Sequence, residues 1–472
     1  MGITLPKTKI VCTIGPASES PETIRELILS GMGVARLNFS HGTHLEHEKK
    51  IRMIRTIAED LGKPVAILQD LGGPKIRVGY IPDPGVLLET GQDVILTTRA
   101  VEGSRQRISV SYPLLNEDVK TGDRILLADG FLELRVRSVT GSEILCEVIT
   151  GGVLTSHKGI NLPTGTLRVP SMTEKDRVDL AFGLSHDVDY IGLSFVRSAS
   201  DIQHLKELIR LENKDTPVIA KIETHEAIDH YEEILDAADA IMVARGDMGV
   251  EIPLEEVPTI QKQLIQKANA RGKPVITATQ MLRSMVDAPR PTRAEASDVA
   301  NAVLDGTDAV MLSEETASGN YPVEAVRFMV RIVAQAEKTY PPDQYLQMIP
   351  KNDISESVTY AVCVLAGHLG AAAILAPTQS GRTAMLISRL RPNQPIIGFT
   401  SNPKTLRRLS LFRGVYPRLI EDPKDTEDII EIAVKRAVET GDMAEGALAV
   451  ITAGHPLWSA GMTNMIQVIK CC

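Results

Sequence analysis

Eight times along this chain a short apolar run closes on polar or charged residues and is followed by a helix-forming stretch. The runs are KIVCTIG (9–15), VARLNFS (34–40), VAILQD (65–70), YIGLSFV (190–196), PVIAKIE (217–223), AIMVARGD (240–247), PVITATQM (274–281) and AVMLSEE (309–315). Continuous apolar runs predict strands buried on both faces, and helices between them predict a parallel sheet. Helix starts are marked by Ser20-Pro21-Glu22 and by the capping-box pattern Thr292-Arg293-Ala294-Glu295. Eight such units fit a (β/α)8 TIM barrel, whose active site lies at the C-terminal ends of its strands. A doubly wound open sheet is the alternative that this repeat leaves standing.

A barrel does not use all 472 residues. Between the third and fourth units the pattern turns to period two, as in DVILTT, RILLAD, LELRVRSV and EILCEVI. That predicts a β-barrel lid domain at 72–168, inserted into a discontinuous barrel of 1–71 and 169–345. Beyond Pro341-Pro342, the runs AAAILA, PIIGFT, GVYPRLI, ALAVIT and MIQVIK predict a smaller C-terminal α/β domain at 346–472. It contains TQSGRTA (378–384), a strand-turn-helix junction suited to a phosphate at the helix N-terminus.

A net charge of -9 argues against nucleic acid as a partner, because phosphate backbones need a basic face. Five cysteines (Cys12, Cys146, Cys363, Cys471, Cys472) show no metal or disulfide spacing, as expected of a reducing compartment. The N-terminal MGITLPKTKIVCTIG has neither the charged start nor the long apolar run of a secretory leader. A cytoplasmic protein with no membrane partner is expected.

The strand ends collect Ser40, Asp70, Lys221, Glu223, Asp247, Thr279 and Glu315, which stability alone does not call for. In VIAKIETHEAI, Lys221 and Glu223 lie two apart on one strand face. Read blandly they are a buried ion pair, a weak stabiliser. With Asp247 of ARGDMG, whose Gly246 allows close backbone approach, Glu223 offers hard oxygen ligands for Mg2+ or Mn2+. RLNFSHG sets Arg36, Asn38 and Ser40 on one face, then His41, and Arg is the natural phosphate clamp. His44 and His47, flanked by charges, are expected on a solvated helix face. No GxxxxGK[ST] or strand-linked GxGxxG occurs, so phosphates must be held by side-chain cations and metal. In LQDLGGPKIRVG (68–79), a turn at the end of a buried strand brings Lys75 and Arg77 within a few residues of Asp70. This is either a surface loop or a site for an anion, a metal, or both.

The segments KTKIVCTIGPAS, RLNFSHG, GPKIRVG, HKGINLP, LSFVRS, VIAKIETHEAI, IMVARGDMGVEIP, VITATQMLRSM, PRPTRAEASDVANAVLDGTDAVMLS and TQSGRTA resemble the pyruvate kinase family along essentially the whole chain. The resemblance implies phosphoryl transfer from phosphoenolpyruvate to ADP, giving pyruvate and ATP, the last step of glycolysis. It implies Glu223 and Asp247 as metal ligands, with the substrate carboxylate on the backbone of Gly246 and Asp247 and on Thr279. Arg36 and Lys221 would hold the phosphoryl group, and Thr279 would organise protonation of the enolate through water. Asn38, His41, Arg77 and Lys158 would contact the nucleotide. Thr378, Ser380, Gly381, Arg382 and Thr383 would anchor a sugar phosphate or AMP as effector, in a homotetramer. K+-dependent members carry DTKGPEIR where this chain has DLGGPKIR, so Leu71 removes an ion ligand and Lys75 brings an ammonium. In a monovalent-cation region of Asn38, Ser40, Asp70, Leu71 and Lys75, that ammonium beside Asp70 is expected to make K+ unnecessary. Glu314 stands where the family generally has Gly, near the nucleotide side, and the C-terminal segment keeps the family's G-T-N ending loosely. Two other readings compete: a lyase on a related metal-bound-enolate barrel, and a non-catalytic effector-binding scaffold. A lyase has no need of the lid or of the Lys221 and Arg36 clamp. A scaffold has no need of competent residues at every strand end.

Overall fold

The apolar runs become strands because their side chains find apolar partners on both faces. A computed structural model of the chain describes residues 6–163, 165, 168–341, 353–455 and 462–470. The barrel begins with β1 (Lys9–Thr13), β2 (Met32–Asn38) and β3 (Ala66–Asp70). The insertion follows with β4 (Val86–Leu88), β5 (Asp93–Thr97), β6 (Arg107–Ser109), β7 (Arg124–Leu127), β8 (Leu132–Thr140), β9 (Glu143–Thr150), β10 (Gly152–Leu154) and β11 (Ile160–Asn161). The barrel resumes with β12 (Tyr190–Leu193), β13 (Val218–Ile222), β14 (Ala240–Ala244), β15 (Val275–Ala278) and β16 (Ala309–Leu312). These eight close in the order β1-β16-β15-β14-β13-β12-β3-β2, all parallel, which excludes the doubly wound alternative. β3 and β12 to β16 are buried at every position, as continuous apolar runs require.

Helices cap as their sequences direct. Ser20 accepts from the Thr23 N–H with Pro21 in the first helical position, and Thr292 and Glu295 exchange hydrogen bonds in a capping box. One apolar layer lies between strands and helices. A second fills the barrel from Val11, Val34, Leu68, Ile219, Met242, Ile276 and Met311. Leu411, which is not a barrel residue, completes that inner layer from below.

In the insertion, alternation does what period two requires. β9 buries every second residue against a core of its own. Its main sheet runs β11-β7-β8-β9-β5-β6, and residues 77 and 78 bridge to Gly159 and Val110 beside the two edge strands, closing the gap between them.

The C-terminal unit is a sheet of β17 (Ala373–Pro377), β18 (Ile396–Thr400), β19 (Val415–Leu419), β20 (Leu448–Ala453) and β21 (Met465–Lys470), ordered β19-β18-β17-β20-β21 with β21 antiparallel. The expected boundary at 345, Pro342 and the Cys471-Cys472 pair lie outside the described residues. The three described cysteines, Cys12, Cys146 and Cys363, are free and buried.

One surface expectation is overturned. His47 is buried, stacks on Phe39 at 3.9 Å and hydrogen-bonds the His41 carbonyl oxygen at 2.9 Å. His44 stacks on Phe182 and meets Asp179 at 2.7 Å. Their three-residue spacing turns both rings toward aromatic neighbours, His47 onto Phe39 and His44 onto Phe182 of the helix Glu174–Ser185, although His44 stays 40% exposed.

Candidate active site

The C-terminal mouth of the barrel is built by one group from nearly every strand. Thr13 ends β1, Arg36 lies in β2 and Asp70 ends β3. Ser194 follows β12, Lys221 lies in β13 and Glu223 follows it. Arg36 donates to Asp70 through Nε at 2.7 Å and Nη2 at 2.6 Å, and its Nη1 reaches the Thr13 hydroxyl at 3.0 Å. Lys221 Nζ sits 2.9 Å from Glu223 Oε1, 3.3 Å from Asp70 Oδ1 and 2.6 Å from Ser194 Oγ. The second Glu223 oxygen accepts from the Phe195 N–H at 2.8 Å.

Two cations and two carboxylates thus share a dry site, where desolvation penalises each charge and neighbours repay it. Burial works against the Lys221 ammonium, but Asp70 and Glu223 outweigh it and hold its pKa above the usual lysine value. Burial likewise opposes ionisation of Asp70, yet Lys221 and Arg36 hold its carboxyl below the ordinary range. Glu223 goes the other way. Burial, with the nearby negative charge of Asp247, raises its pKa despite Lys221. Glu223 is therefore a buried carboxylate short of positive charge.

Beyond β14, a helix over Arg245–Glu251 presents Gly246 and Asp247 to the mouth. The Gly246 N–H donates to the Thr279 hydroxyl at 2.7 Å, and that hydroxyl donates to the Ala278 carbonyl at 2.6 Å. Thr279 and Gln280 have φ of +70° and +55°, a left-handed conformation that costs a β-branched residue roughly 1–2 kcal/mol. Around β16, buried Glu315 accepts from the Leu282 and Ser313 N–H groups at 2.9 and 2.7 Å.

The donor set at Glu223 and Asp247 fits a hard divalent cation. Two carboxylates from adjacent strands face charge partners that are ammonium groups, Lys221 at 2.9 Å and Lys75 at 3.2 Å. Among the described residues no group of three or more His, Cys, Asp or Glu gathers as a metal cage, so other ligands must complete such a site.

Lys75 departs from its expected place. Asp70 is already taken by Arg36 and Lys221, so the Lys75 ammonium pairs with Asp247 instead. Leu71 packs into the strand-helix core, Ser40 faces Gly72, and Asn38 Oδ1 accepts from the Ser40 N–H at 3.1 Å. Of the nucleotide candidates, His41 lies exposed beyond β2. Arg77 and Lys158 lie side by side on the insertion, with Arg77 Nη1 on the His157 carbonyl oxygen and the Val78 N–H on that of Lys158. Glu314 faces solvent and pairs with Arg283 at 2.9 Å.

In the C-terminal loop, the Thr378 hydroxyl accepts from the Gly381 N–H at 3.0 Å, and Gly381 takes φ +89° before the helix Arg382–Arg389. Ser380 and Arg382 are exposed, while the Thr383 hydroxyl is buried against that of Thr463 at 2.9 Å. Sequence reasoning missed Thr13 and Ser194 as partners of Arg36 and Lys221, and Arg245 altogether. Ser194 had the signal, a hydroxyl closing an apolar run at the same height as the others.

The barrel-domain model of pyruvate kinase matches residues 5–326, and the pyruvate kinase alpha/beta-domain model matches residues 356–469. A pyruvate kinase of Staphylococcus haemolyticus is 48% identical over 468 residues, covering 98% of this chain and 80% of the relative. Pyruvate kinase 2 of Synechocystis sp. is 49% identical over 467 residues, with 98% and 79% covered. The solved structure of a pyruvate kinase from Cryptosporidium parvum superposes with a TM-score of 0.94 at 38% identity, covering 99% of this chain and 96% of that one.

Proposed function

The chain belongs to the pyruvate kinase family, and on that premise we propose how its residues divide the transfer of a phosphoryl group from phosphoenolpyruvate to ADP. The reading rests on one observation above all: a buried Lys221 ammonium held between Asp70 and Glu223 and beside Arg36 at the barrel mouth. Arg36 and Lys221 grip the phosphoryl group, and Lys221 lies where charge spreads as the group moves. The Gly246 and Asp247 backbone and the Thr279 hydroxyl receive the substrate carboxylate. Thr279 also orders the water that delivers a proton to the enolate carbon, since a neutral hydroxyl is too weak to be the sole acid.

Glu223 and Asp247 hold the divalent metal of the family, which we assign as Mg2+ or Mn2+; when bound it neutralises charge on the substrate's carboxylate and phosphate. Asn38 and His41 on the barrel and Arg77 and Lys158 on the insertion contact ADP. The insertion acts as a lid that keeps water from taking the phosphoryl group. Replacing Lys221 with Ala is expected to lower the phosphoryl-transfer rate by at least roughly 10^2-fold, and an unchanged rate sinks the assignment.

K+ independence is proposed on altered ground. Leu71 is turned into the core and offers no oxygen ligand, and the Lys75 ammonium supplies a fixed positive charge at Asp247, within the same mouth. Activity in tetramethylammonium should match activity in K+, and strong activation by K+ alone counts against it. Thr378, Ser380, Gly381, Arg382 and Thr383 anchor a sugar phosphate or AMP in a cytoplasmic homotetramer. Coupling of this loop to the barrel is supported by the Thr405 hydroxyl, which donates to the Gln379 carbonyl at 2.8 Å from a segment that continues to the barrel base. A thermal-shift screen of sugar phosphates and AMP, followed by kinetics, identifies the effector and the sign of regulation.

A further inference from the structure

The Arg245 guanidinium is turned toward Gln261 and Asp298 on the helices Val257–Arg271 and Arg293–Asp305, although its residue directly precedes Gly246 and Asp247. Nη2 donates to the Thr279 carbonyl at 2.8 Å and to Met281 Sδ at 2.7 Å, while Nε reaches the Ala278 carbonyl at 3.3 Å. Nη1 donates to Asp298 Oδ1 at 2.6 Å and to Gln261 Oε1 at 3.3 Å. A guanidinium has five N–H donors, and these contacts use all five, so none is left for a phosphate or carboxylate.

The planar fork instead straps the turn that carries Thr279. That turn has two consecutive non-glycine residues in the left-handed region, a shape that persists only where the surroundings impose it. Arg245 holds the turn's carbonyls from the β14 side, and Glu315 holds the Leu282 N–H from the β16 side. Between the two, the Thr279 hydroxyl is set against the Gly246 N–H.

We propose that Arg245 is a positioning residue for the proton-transfer half of the reaction: by fixing the 278–280 turn, it sets the Thr279 hydroxyl at the angle from which the ordered water protonates the enolate carbon. The proposal rests on the role given to Thr279 above. In the step, the enolate's C=C pair forms a C–H bond at the methylene carbon as a water O–H breaks and leaves hydroxide, the enolate oxygen becomes the ketone oxygen of pyruvate, and there is no net change of oxidation state. Run backwards in D2O, the same step exchanges the methyl protons of pyruvate for deuterium. Phosphoryl transfer relies on Arg36 and Lys221, which Arg245 does not touch, so the two halves should respond differently.

The test follows pyruvate methyl exchange by proton NMR, with full-length enzyme, Mg2+ and ATP, alongside steady-state kinetics. Arg245→Lys keeps the charge but loses the fork, and should lower exchange by roughly 10^2-fold while the KM for phosphoenolpyruvate, whose carboxylate is held by the Gly246 and Asp247 backbone as well as by Thr279, rises by no more than about tenfold. Thr279→Ala should lower exchange by itself, and adding Arg245→Lys to it should cost less than about twofold more. A full second loss in the double variant, or a raised KM with unchanged exchange, overturns the role of Arg245 while leaving that of Thr279 intact. Unchanged exchange in Thr279→Ala alone overturns the reading of Thr279 and this proposal with it. Asp298→Asn, which loosens the guanidinium without emptying its site, serves where the Arg245 variant does not fold. It should lower exchange by a smaller factor that also vanishes in the Thr279→Ala background, and persistence of that factor overturns the proposal.

Discussion

The barrel meets the rest of the chain at two ends, and the two junctions are built on opposite principles. At the top, the insertion touches the barrel through a few part-buried polar pairs. Asn161 reaches the barrel's Glu251 at 3.1 Å, Glu251 is braced within the barrel by His225 at 3.1 Å, and Lys75 meets Asp247 at 3.2 Å. Beside them lies a cavity of about 50 Å3 lined by residues of both units, including Ile76, Leu162, Phe195 and Thr224. At the base, Arg391 is buried against Asp308, Asn269 and the Gly306 carbonyl, and Arg413 lies over the Tyr340 ring. Tyr190 donates to the Arg408 carbonyl at 2.7 Å, and Leu411 enters the barrel's inner layer. Sparse polar contacts around a cavity give up little when they part, whereas buried arginines that serve several partners leave costly unpaired groups behind. The upper junction is thus the weaker of the two.

The largest test of that contrast is Arg391→Ala. It strands a buried Asp308 carboxylate and should lower the first unfolding transition in urea by about 3–5 kcal/mol, leaving the barrel mouth's chemistry untouched. A shift of a few tenths would place the base on the same footing as the top.

Next in size is Lys9→Met at the base. The Lys9 ammonium donates to the Val415 carbonyl at 2.6 Å over the Tyr416 ring, and burial, aided by Arg418 and Arg413 against Glu337, lowers its pKa from 10.5 to about 7. Between those two values the unfolded chain holds a proton that the folded one has released, so stability rises with pH across this window. Below about 7 both states are charged and the cost of enclosing the ammonium is fully present. The Met variant should raise the unfolding midpoint at pH 6, by about 1–2 kcal/mol, and flatten the rise toward alkaline pH.

The smallest effect belongs to the top. The Glu251 hydrogen bond, aided by Glu226 and Asp229 against burial, raises the pKa of His225 above 6.5. Its contribution is therefore complete below 6.5 and is lost as pH rises through the folded-state value. His225→Gln should remove that dependence, seen by comparing melting points at pH 5.5 and 8.5, at a cost below about 1 kcal/mol. A loss as large as that of Arg391→Ala would erase the distinction between the junctions.

The sequence made the top of the barrel far more legible than its base. Strand ends carry their chemistry in a fixed place relative to an apolar run, so Lys221, Glu223, Asp247 and Thr279 stood out before any contact was known. Family motifs then supplied the reaction. Pairings between strands are another matter. Nothing in LQDLGGPKIRVG says that Asp70 is already claimed by Arg36 from β2 and Lys221 from β13, which leaves Lys75 to Asp247. Likewise, Arg245 reads as an ordinary charge after a strand until the turn it straps is seen. The base escaped reading because Leu411 and Arg391 belong to segments whose own periodicity is satisfied without the barrel.

Leu411 has a consequence for how the chain can be cut or inherited. The catalytic cylinder has no floor of its own, since its lowest interior layer is completed by a side chain encoded some hundred residues after its last strand. A gene fragment ending with the eighth βα unit would make a vessel open at the bottom. The C-terminal unit is thus no appendage to a finished enzyme. Translation must pass residue 411 before the barrel is sealed, and any lineage that exchanges its C-terminal unit must bring a matching stopper along.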